Sequence, residues 1–431
     1  MNLIYLNCVK NADECDYLFV VSPKIETKIC TKCGSCNVVN YGRYTKLVRD
    51  ININEHYTAL KIRGHKHLCK GCGSIFVDRF NTLDLCSKMT NRLRCKIQQL
   101  SLTKPFKHIA REYKLSVTTI EKIALAYIRE KDSQHIMYSP EVLGIDEAHL
   151  NGSIRCVLTD INEHLLFEML PKRDKQTVIN YLDSLPDSNN IKIVTMDMYR
   201  PYREAVYECL PDAAIVIDKF HVVKLINDLL SDYKKTLCKQ LPAAEKKEIN
   251  SVQKALNTNR KDLTANQNKK LGYIYSKYPE LKMAYDLKEE FREIYECTNR
   301  RAAVLKYTKW SRKVKQNFSP YISITETVNR WSLEIFNYFD HPYTNGVTEA
   351  INGCIKAIAR DGKGYSFEIL RGKVLYGQAY KTKAIFSYNK FSPTIHYVTG
   401  PSNRSSLNMI QNLMDSYKQI SGADIDRLKL G

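Results

Sequence analysis

The residues best suited to chemistry in this chain are carboxylates placed where strands should end. In Ile191–Leu225, "IKIVTMDMYRPYREAVYECLPDAAIVIDKFHVVKL", two short apolar runs each stop at an aspartate: Ile191–Met196 leads into Asp197, and Ala213–Ile217 into Asp218. Continuous runs with β-branched residues suit strands buried on both faces. In open α/β sheets, functional groups gather at the carboxyl ends of such strands, where a divalent cation can offset the desolvation of a carboxylate. Taken singly, either aspartate equally suits the cap of the helix that follows it. A functional reading therefore needs further carboxylates. Asp146 supplies one, in "EVLGIDEAHL", which reads as a strand ending at Asp146-Glu147. Glu349 supplies another, in the first turn of a helix capped by Thr344 or Asn345 and running to about Arg360. The buried stripe expected of that helix is Val347, Ala350, Ile351, Cys354, Ile355 and Ile358. Glu349, Asn352, Gly353, Lys356 and Arg360 then share another face. A carboxylate followed by small and basic groups can complete a metal site and guide a phosphate backbone past it. By itself, Glu349 is equally a first-turn residue favoured by the helix dipole.

A second constellation is made of thiols. Cys30-Thr-Lys-Cys33 and Cys69-Lys-Gly-Cys72 are each followed by glycine, Gly34 and Gly73. Such knuckles turn the backbone tightly, so that two pairs of thiolates converge on one tetrahedral Zn²⁺. Four thiolates leave no open position, which makes the ion structural. Cys36 is a spare thiol nearby that could replace a ligand, and His65 and His67 read as surface basic groups. Between the pairs, "KLVRDININEHYTALKIRGHKHL" alternates like a pair of strands.

Thr103–Ile128 follows as two short amphipathic helices. The first carries Phe106, Ile109, Ala110 and Tyr113, and Lys114-Leu115-Ser116 forms the turn. The second begins at Ser116 or Val117, with Ile120, Ile123, Ala124 and Tyr127 inward and Thr118, Thr119 and Lys122 outward. This is a helix-turn-helix pattern whose outward face would read double-stranded DNA. Arg92, Arg94, Lys96, Lys104, Lys107 and Arg111 would contact phosphates.

Charge agrees with a polyanionic partner. The 431 residues carry a formal net charge of +20, and up to Ser139 there are 23 Lys+Arg against 12 Asp+Glu. No apolar run approaches the eighteen or so residues of a membrane span, and the start of the chain lacks the plan of a secretory signal. The fourteen cysteines are scattered apart from the clustered four or five, unlike a secreted disulfide framework, which points to the cytoplasm.

The elements that must position these residues fall into five stretches. Residues 1–85 would hold the zinc site, 86–139 the helix-turn-helix, and 140–226 with 342–385 a catalytic α/β domain. Residues 227–341 read as a charged helical insertion, with Trp310 and Trp331 as core anchors, and 386–431 as a polar tail with one amphipathic piece at Leu407–Tyr417. In the α/β domain, strands at "EVLGIDEAHL", "SIRCVLTDI" and "HLLFEMLPK", then the helix "DKQTVINYLDSLP", precede the two strands ending in Asp197 and Asp218.

That β-β-β-α-β-α-β-α order resembles the ribonuclease-H-like fold, a mixed sheet in which the first and fourth strands lie side by side. In that arrangement Asp146 would meet Asp197, and repulsion would raise one pKa unless divalent metal held the pair. More widely, the cysteine knuckles, the helix-turn-helix, "GIDE", "TMDMYRPY", "IDKFHV" and "NGVTEAINGCIKAIAR" occur in an order similar to that of bacterial insertion-sequence DDE transposases of the ISL-three group. The resemblance covers nearly the whole chain, and is weakest in the insertion and tail. It departs from the pattern at "CTKCGSC", where "CPxCG" is usual.

The resemblance implies a zinc ribbon with one structural Zn²⁺, and a catalytic triad of Asp146, Asp197 and Glu349. Asp218, His221 and Asn352 would lie near the site. Asp146 would be shared between two Mg²⁺ (or Mn²⁺) ions, with Asp197 and Glu349 holding one each, for DNA cleavage and strand transfer. It implies binding of terminal inverted repeats and target DNA, with Lys356 and Arg360 along the nucleic acid, and a homodimer or higher oligomer on DNA. A catalytically silent DNA-binding regulator derived from a transposase would keep the binding and lose metal-dependent cleavage. A different nuclease of the same fold would cut without joining strands.

Overall fold

The computed structural model describes residues 3–12, 15–23, 29–78, 88–150 and 152–377. The expected tail, the piece at Leu407–Tyr417 and the end of the basic stretch beyond residue 377 lie outside the described residues.

The amino-terminal part is a five-stranded sheet. Its strands are β1 (Leu3–Ala12), β2 (Cys15–Pro23), β3 (Val38–Arg49), β4 (Thr58–Cys69) and β5 (Ile75–Val77), ordered β1-β2-β4-β3 with β5 on β4. The expected hairpin between the cysteine pairs is β3 with β4, which pair antiparallel from Val38↔Cys69 to Arg49↔Ala59. The sheet continues across β4 to β2, in parallel, and on to β1. Val21, Val48, Leu60 and Ile62 form its small core. His67 departs from its expected surface position: it is buried, with Nε2 2.8 Å from Asp78 Oδ1.

Three helices follow: α1 (Asn91–Thr103), α2 (Phe106–Glu112) and α3 (Val117–Gln134). Ser116 caps α3 by accepting the Thr119 N–H, and Lys114 turns the chain with φ +47°. Leu93, Ile97, Phe106, Ile109, Ile120 and Ala124 pack together as their shared core. Arg92, expected on phosphate, instead binds Asp50 at the end of β3, and Lys104 pairs with Glu112 at 3.0 Å.

The second sheet contains β6 (Val142–Leu150), β7 (Ser153–Asp160), β8 (Leu165–Leu170), β9 (Ile193–Met196) and β10 (Ala214–Ile217), ordered β10-β9-β6-β7-β8. β10, β9 and β6 run parallel; β7 and β8 add antiparallel. β6 does not end at Asp146-Glu147, because its hairpin with β7 continues to Leu150↔Ser153. One face carries Leu143, Ile145, Leu158, Val194 and Met196, and is covered by α4 (Lys175–Leu182) and α5 (Arg200–Cys209). After β10 comes α6 (Lys219–Lys239), which runs unbroken through the boundary expected at 227.

The insertion is helical as expected: α7 (Ala243–Ser251), α8 (Gln253–Asn257), α9 (Ala265–Lys277), α10 (Pro279–Arg292), α11 (Arg300–Asn317), α12 (Ile322–Arg330) and α13 (Ser332–Phe336). Trp310 and Trp331 are both buried, and Trp310 Nε1 donates to the Leu287 carbonyl at 2.8 Å. The chain then returns as α14 (Gly346–Gly362) and α15 (Phe367–Gly377). Ile351, Ile355 and Ala359 of α14, with Leu370 and Val374 of α15, cover Ala148, Val157 and Met169 on the other sheet face.

α15 is also the brace between the two halves. Gly372 lies so close to α3 that a Cβ there would sit 2.5 Å from Ile128 Cδ1. The Lys373 ammonium is buried against the carbonyls of Ser101 and Lys104 at the end of α1, the negative end of that helix. Arg371 joins Glu168 of β8 (2.6 Å) and Asp132 of α3 (2.8 Å).

The Asp50–Arg92 link is a testable part of this frame. Burial raises the Asp50 carboxyl, but hydrogen bonds from Arg92, Thr90 and the Ile51 N–H outweigh it and hold the pKa below the usual carboxylate value. Asp50→Asn should cost about 1–3 kcal/mol at neutral pH, as expected for weakening hydrogen bonds to a buried carboxylate whose partner Arg92 stays half-exposed. A depressed carboxylate contributes its stability above its ordinary pKa and loses it as pH falls, so the gap should begin to close below about pH 5 and go on closing through the range of the lowered native pKa. Urea unfolding of both proteins across that range measures it.

Candidate active site

Parallel pairing sets Ile145 opposite Met196 and Met196 opposite Ile217. Asp146, Asp197 and Asp218 come next on each strand, and so stand in a row at one level. Period-two alternation puts them on the face of Val142, Ile193 and Val216, the face that α14 covers, opposite Ile145, Met196 and Ile217. Asp218 is fully buried and Asp146 nearly so. The capping alternative holds for Asp218, which accepts the Phe220 N–H at 3.1 Å as N-cap of α6. It fails for Asp197, because the N-cap position of α5 is Tyr199, with no side-chain cap.

Electrostatics follow from the row. Burial, then the charges of Asp146, Asp218, Glu147 and Glu349, push the Asp197 carboxyl up to about 8. Burial also raises Asp146 and Asp218. Asp197 Oδ1 is a buried oxygen without a hydrogen-bond partner among the described residues, and Asp218 Oδ2 is buried with none of normal geometry among them. Clustered carboxylates with spare buried oxygens are a donor set that fits hard divalent cations.

Glu349 enters from α14, half-exposed, with Oε1 3.8 Å from His221 Nε2; the other ring nitrogen of His221 lies 3.1 Å from Asp197 Oδ2. His221 thus stands between the second and third carboxylates. The tightest potential ligand trio is Asp218, His221 and Glu349, whose ligand atoms lie within 4.8 Å of one another. Asn352 does not share the open face of Lys356 and Arg360. It is buried and donates to Asp146 Oδ2 at 2.7 Å, while the Glu147 N–H donates to Asp146 Oδ1 at 2.7 Å.

How α14 reaches this position was not legible from its hydrophobic pattern. Its buried stripe is Thr348, Ile351, Asn352, Ile355 and Ala359, whereas Ala350, expected inside, is exposed. Asn345 precedes α14 without capping it. Its amide donates to the Ile145 carbonyl (3.1 Å) and its oxygen accepts from the Thr195 hydroxyl (2.6 Å), tying the helix start to β6 and β9. Thr348 meets Thr159 of β7 at 2.7 Å. Gly144 makes room for this approach, since a Cβ there would lie 2.7 Å from Thr348 Oγ1 and closer still to Thr159. A threonine inside the apolar run of β9 and a glycine inside β6 were the available signals.

Beside the carboxylates a cleft of about 330 Å³ is lined by Asp146, Asp197, Arg173, Tyr199, His221 and Lys224 among others. Arg173 pairs with Glu147 and lies over the Tyr199 ring. Along α14, Lys356, Arg360 and His149 line a shallow concavity of about 410 Å³.

The sulfur atoms of Cys30, Cys33, Cys69 and Cys72 lie within 4.8 Å of one another. Each knuckle folds alike: Gly34 N–H donates to Cys30 O and Gly73 N–H to Cys69 O, and both glycines have positive φ, +72° and +69°. The Ser74 hydroxyl and then backbone N–H groups hold the Cys30 thiol down to about 5. At Cys33 a backbone N–H from Ser35 works in the same direction, but the thiols of Cys72, Cys30 and Cys69 outweigh it and push it up to about 12. Four thiols this close, one of them readily deprotonated, are a donor set that fits a soft divalent ion. Cys36 stays outside the cluster and is exposed.

On α3, Thr118 is exposed and Thr119 half-buried, both hydroxyls touching Ser116 Oγ. Lys122 is exposed at the mouth of a 510 Å³ groove that Arg49, Lys88, Arg94, Lys114 and Thr119 also line, with no acidic side chain among the described residues of its wall.

The profile of a family described as transposase, the DDE type of the ISL-three (ISL3) group, matches residues 143–374, more than half of the chain. The chain belongs to that family. It is 26% identical to the transposase of insertion sequence element IS1001 from Bordetella parapertussis over 361 residues, covering 80% of this chain and 87% of that protein. It is 24% identical to the transposase of IS1557 from Mycobacterium tuberculosis over 252 residues, or 52% of this chain and 56% of that one.

Three substitutions test the geometry. Gly144→Ala should cost about 1–3 kcal/mol by overpacking between β7 and α14, read by urea unfolding. Elemental analysis should find one zinc per chain, retained in Cys36→Ser and lost in Cys69→Ser.

Proposed function

We propose that the chain binds the terminal inverted repeats of an insertion sequence and catalyses metal-dependent DNA cleavage and strand transfer. The observation that carries this reading is the row of Asp146, Asp197 and Asp218 with Glu349 facing it from α14. The sheet order β10-β9-β6-β7-β8 supports a ribonuclease-H-like catalytic domain. The cysteine cluster supports a zinc ribbon, and α2 with α3 a helix-turn-helix.

In this reading Asp146, Asp197 and Glu349 hold two Mg²⁺ or Mn²⁺ ions, with Asp218 and His221 beside them. When bound, the ions supply charge neutralisation at the phosphate and a lowered pKa for the attacking oxygen. Water attacks phosphorus at the element's end and the P–O3′ bond breaks, leaving a 3′-OH. That hydroxyl then attacks a target phosphodiester and displaces its 3′-oxygen. Asn352 fixes the rotamer of Asp146 through its 2.7 Å hydrogen bond. His221 sets Asp197 against Glu349, and Arg173 and Lys224 present positive charge to the backbone entering the cleft. Preorganisation of this kind is the protein's main contribution to phosphoryl transfer.

Thr118, Thr119 and Lys122 face the repeat, while Lys356 and Arg360 lie along the strand. Bringing two ends together calls for a dimer or higher oligomer. Among the described residues no helix is long and apolar enough to cross a membrane, and the work is assigned to the bacterial cytoplasm, at the nucleoid.

The test incubates the purified chain with labelled DNA carrying the element's ends, in Mg²⁺, Mn²⁺ or EDTA. Metal-dependent nicking should fall at least about 10³-fold in Asp146→Ala, Asp197→Ala and Glu349→Ala, with end binding retained. Binding without cleavage by the unmodified chain would instead mark a DNA-binding regulator. Lys122→Ala should lower the slope of log affinity against log salt by about one.

A further inference from the structure

Phe220 occupies the first turn of α6, between Asp218, which caps that helix, and His221, which faces Asp197 and Glu349. Its side chain is open to solvent, with 55% of the residue exposed. The inward stripe of α6 is Val222, Ile226 and Leu230, so the hydrophobic core makes no use of position 220. The cap makes none either, because Asp218 accepts the backbone N–H of Phe220 and not its ring. An aromatic side chain here is required by neither packing nor capping.

Its surroundings are cationic. The Lys219 ammonium lies 5.6 Å from the ring centroid and donates to the Tyr338 hydroxyl at 3.0 Å. Lys224, one turn on and exposed, lies on the same side of α6 and lines the cleft. The two aromatic residues that line the cleft are already engaged: the Arg173 guanidinium covers the face of Tyr199 at 4.7 Å, and Tyr202, buried, meets Tyr199 edge-on at 4.9 Å. An uncovered ring beside two lysines suits a nucleobase with its phosphates.

Geometry supplies the need for one. Asp146 is buried and lines the cleft with Asp197, His221 and Lys224, so a backbone phosphate nears it only by entering that cleft. A strand that dips that far loses stacking at the neighbouring base. Enzymes that act on such strands commonly give the displaced base an aromatic or apolar surface. We propose that Phe220 stacks against the base next to the cleaved phosphate, unstacked from the DNA end. The inference rests on the transposase reading above.

The experiment compares nicking rates of the full chain on fully paired ends and on ends whose bases flanking the cleaved phosphate are mismatched. Phe220→Ala and Phe220→Leu should nick paired ends about ten- to a hundredfold more slowly, the range expected for one lost base–aromatic stack. Phe220→Tyr should restore the rate to within about threefold, and mismatched ends should rescue Phe220→Ala to a similar degree. Undiminished cleavage of paired ends by Phe220→Ala would overturn the proposal. So would rescue by leucine, which supplies apolar contact without a ring, or a loss equally large on mismatched ends. Failure of the unmodified chain to nick in any metal would count against the transposase reading instead.

Discussion

The structure depends on keeping three aspartates side by side across three parallel strands, Asp146 within β6 and Asp197 and Asp218 just past β9 and β10. Adjacent strands are about 4.8 Å apart, and two unit charges at that spacing repel by about 3 kcal/mol even at an effective dielectric constant of 20. That exceeds the net worth of an ordinary hydrogen bond. The chain meets it with several fixed donors: Asn352 and the Glu147 N–H on Asp146, the Phe220 N–H on Asp218, and the His221 ring beside Asp197. Two of the donors come from α6 and one from α14, so both helices must be in register with the sheet before the carboxylates are held.

Register is enforced where α14 begins. Asn345 ties the helix to β6 and β9, Thr348 meets Thr159, and Gly144 removes the side chain that would keep them apart. These are polar or steric contacts in a buried place, where a one-residue slip would leave several groups unpaired. The same logic continues in α15, which places Lys373 on the end of α1 and Arg371 between β8 and α3. The single helix α15 therefore closes the second sheet and also fixes α1 and α3.

Much of this was legible because it is local. The cysteine spacing, the turn at Lys114–Ser116, the apolar runs ahead of Asp197 and Asp218, and the helix carrying Glu349 each show in a window of a few residues. What the local signals missed involved two distant segments at once. The pairing of β2 with β4, the removal of Arg92 to Asp50, the burial of His67 on Asp78 and the true buried stripe of α14 all depend on partners far along the chain.

The amino-acid sequence by itself determined which side chains exist for chemistry and which elements carry them, because period, capping and turn residues act through near neighbours. Tertiary structure alone decided that Asp218 joins the row as a third carboxylate, that His221 stands between Asp197 and Glu349, and that Asn352 turns inward to Asp146. Strand order and helix rotation set those relations: strand pairing joins segments that lie outside any local window, and α14 meets β6 across about two hundred positions.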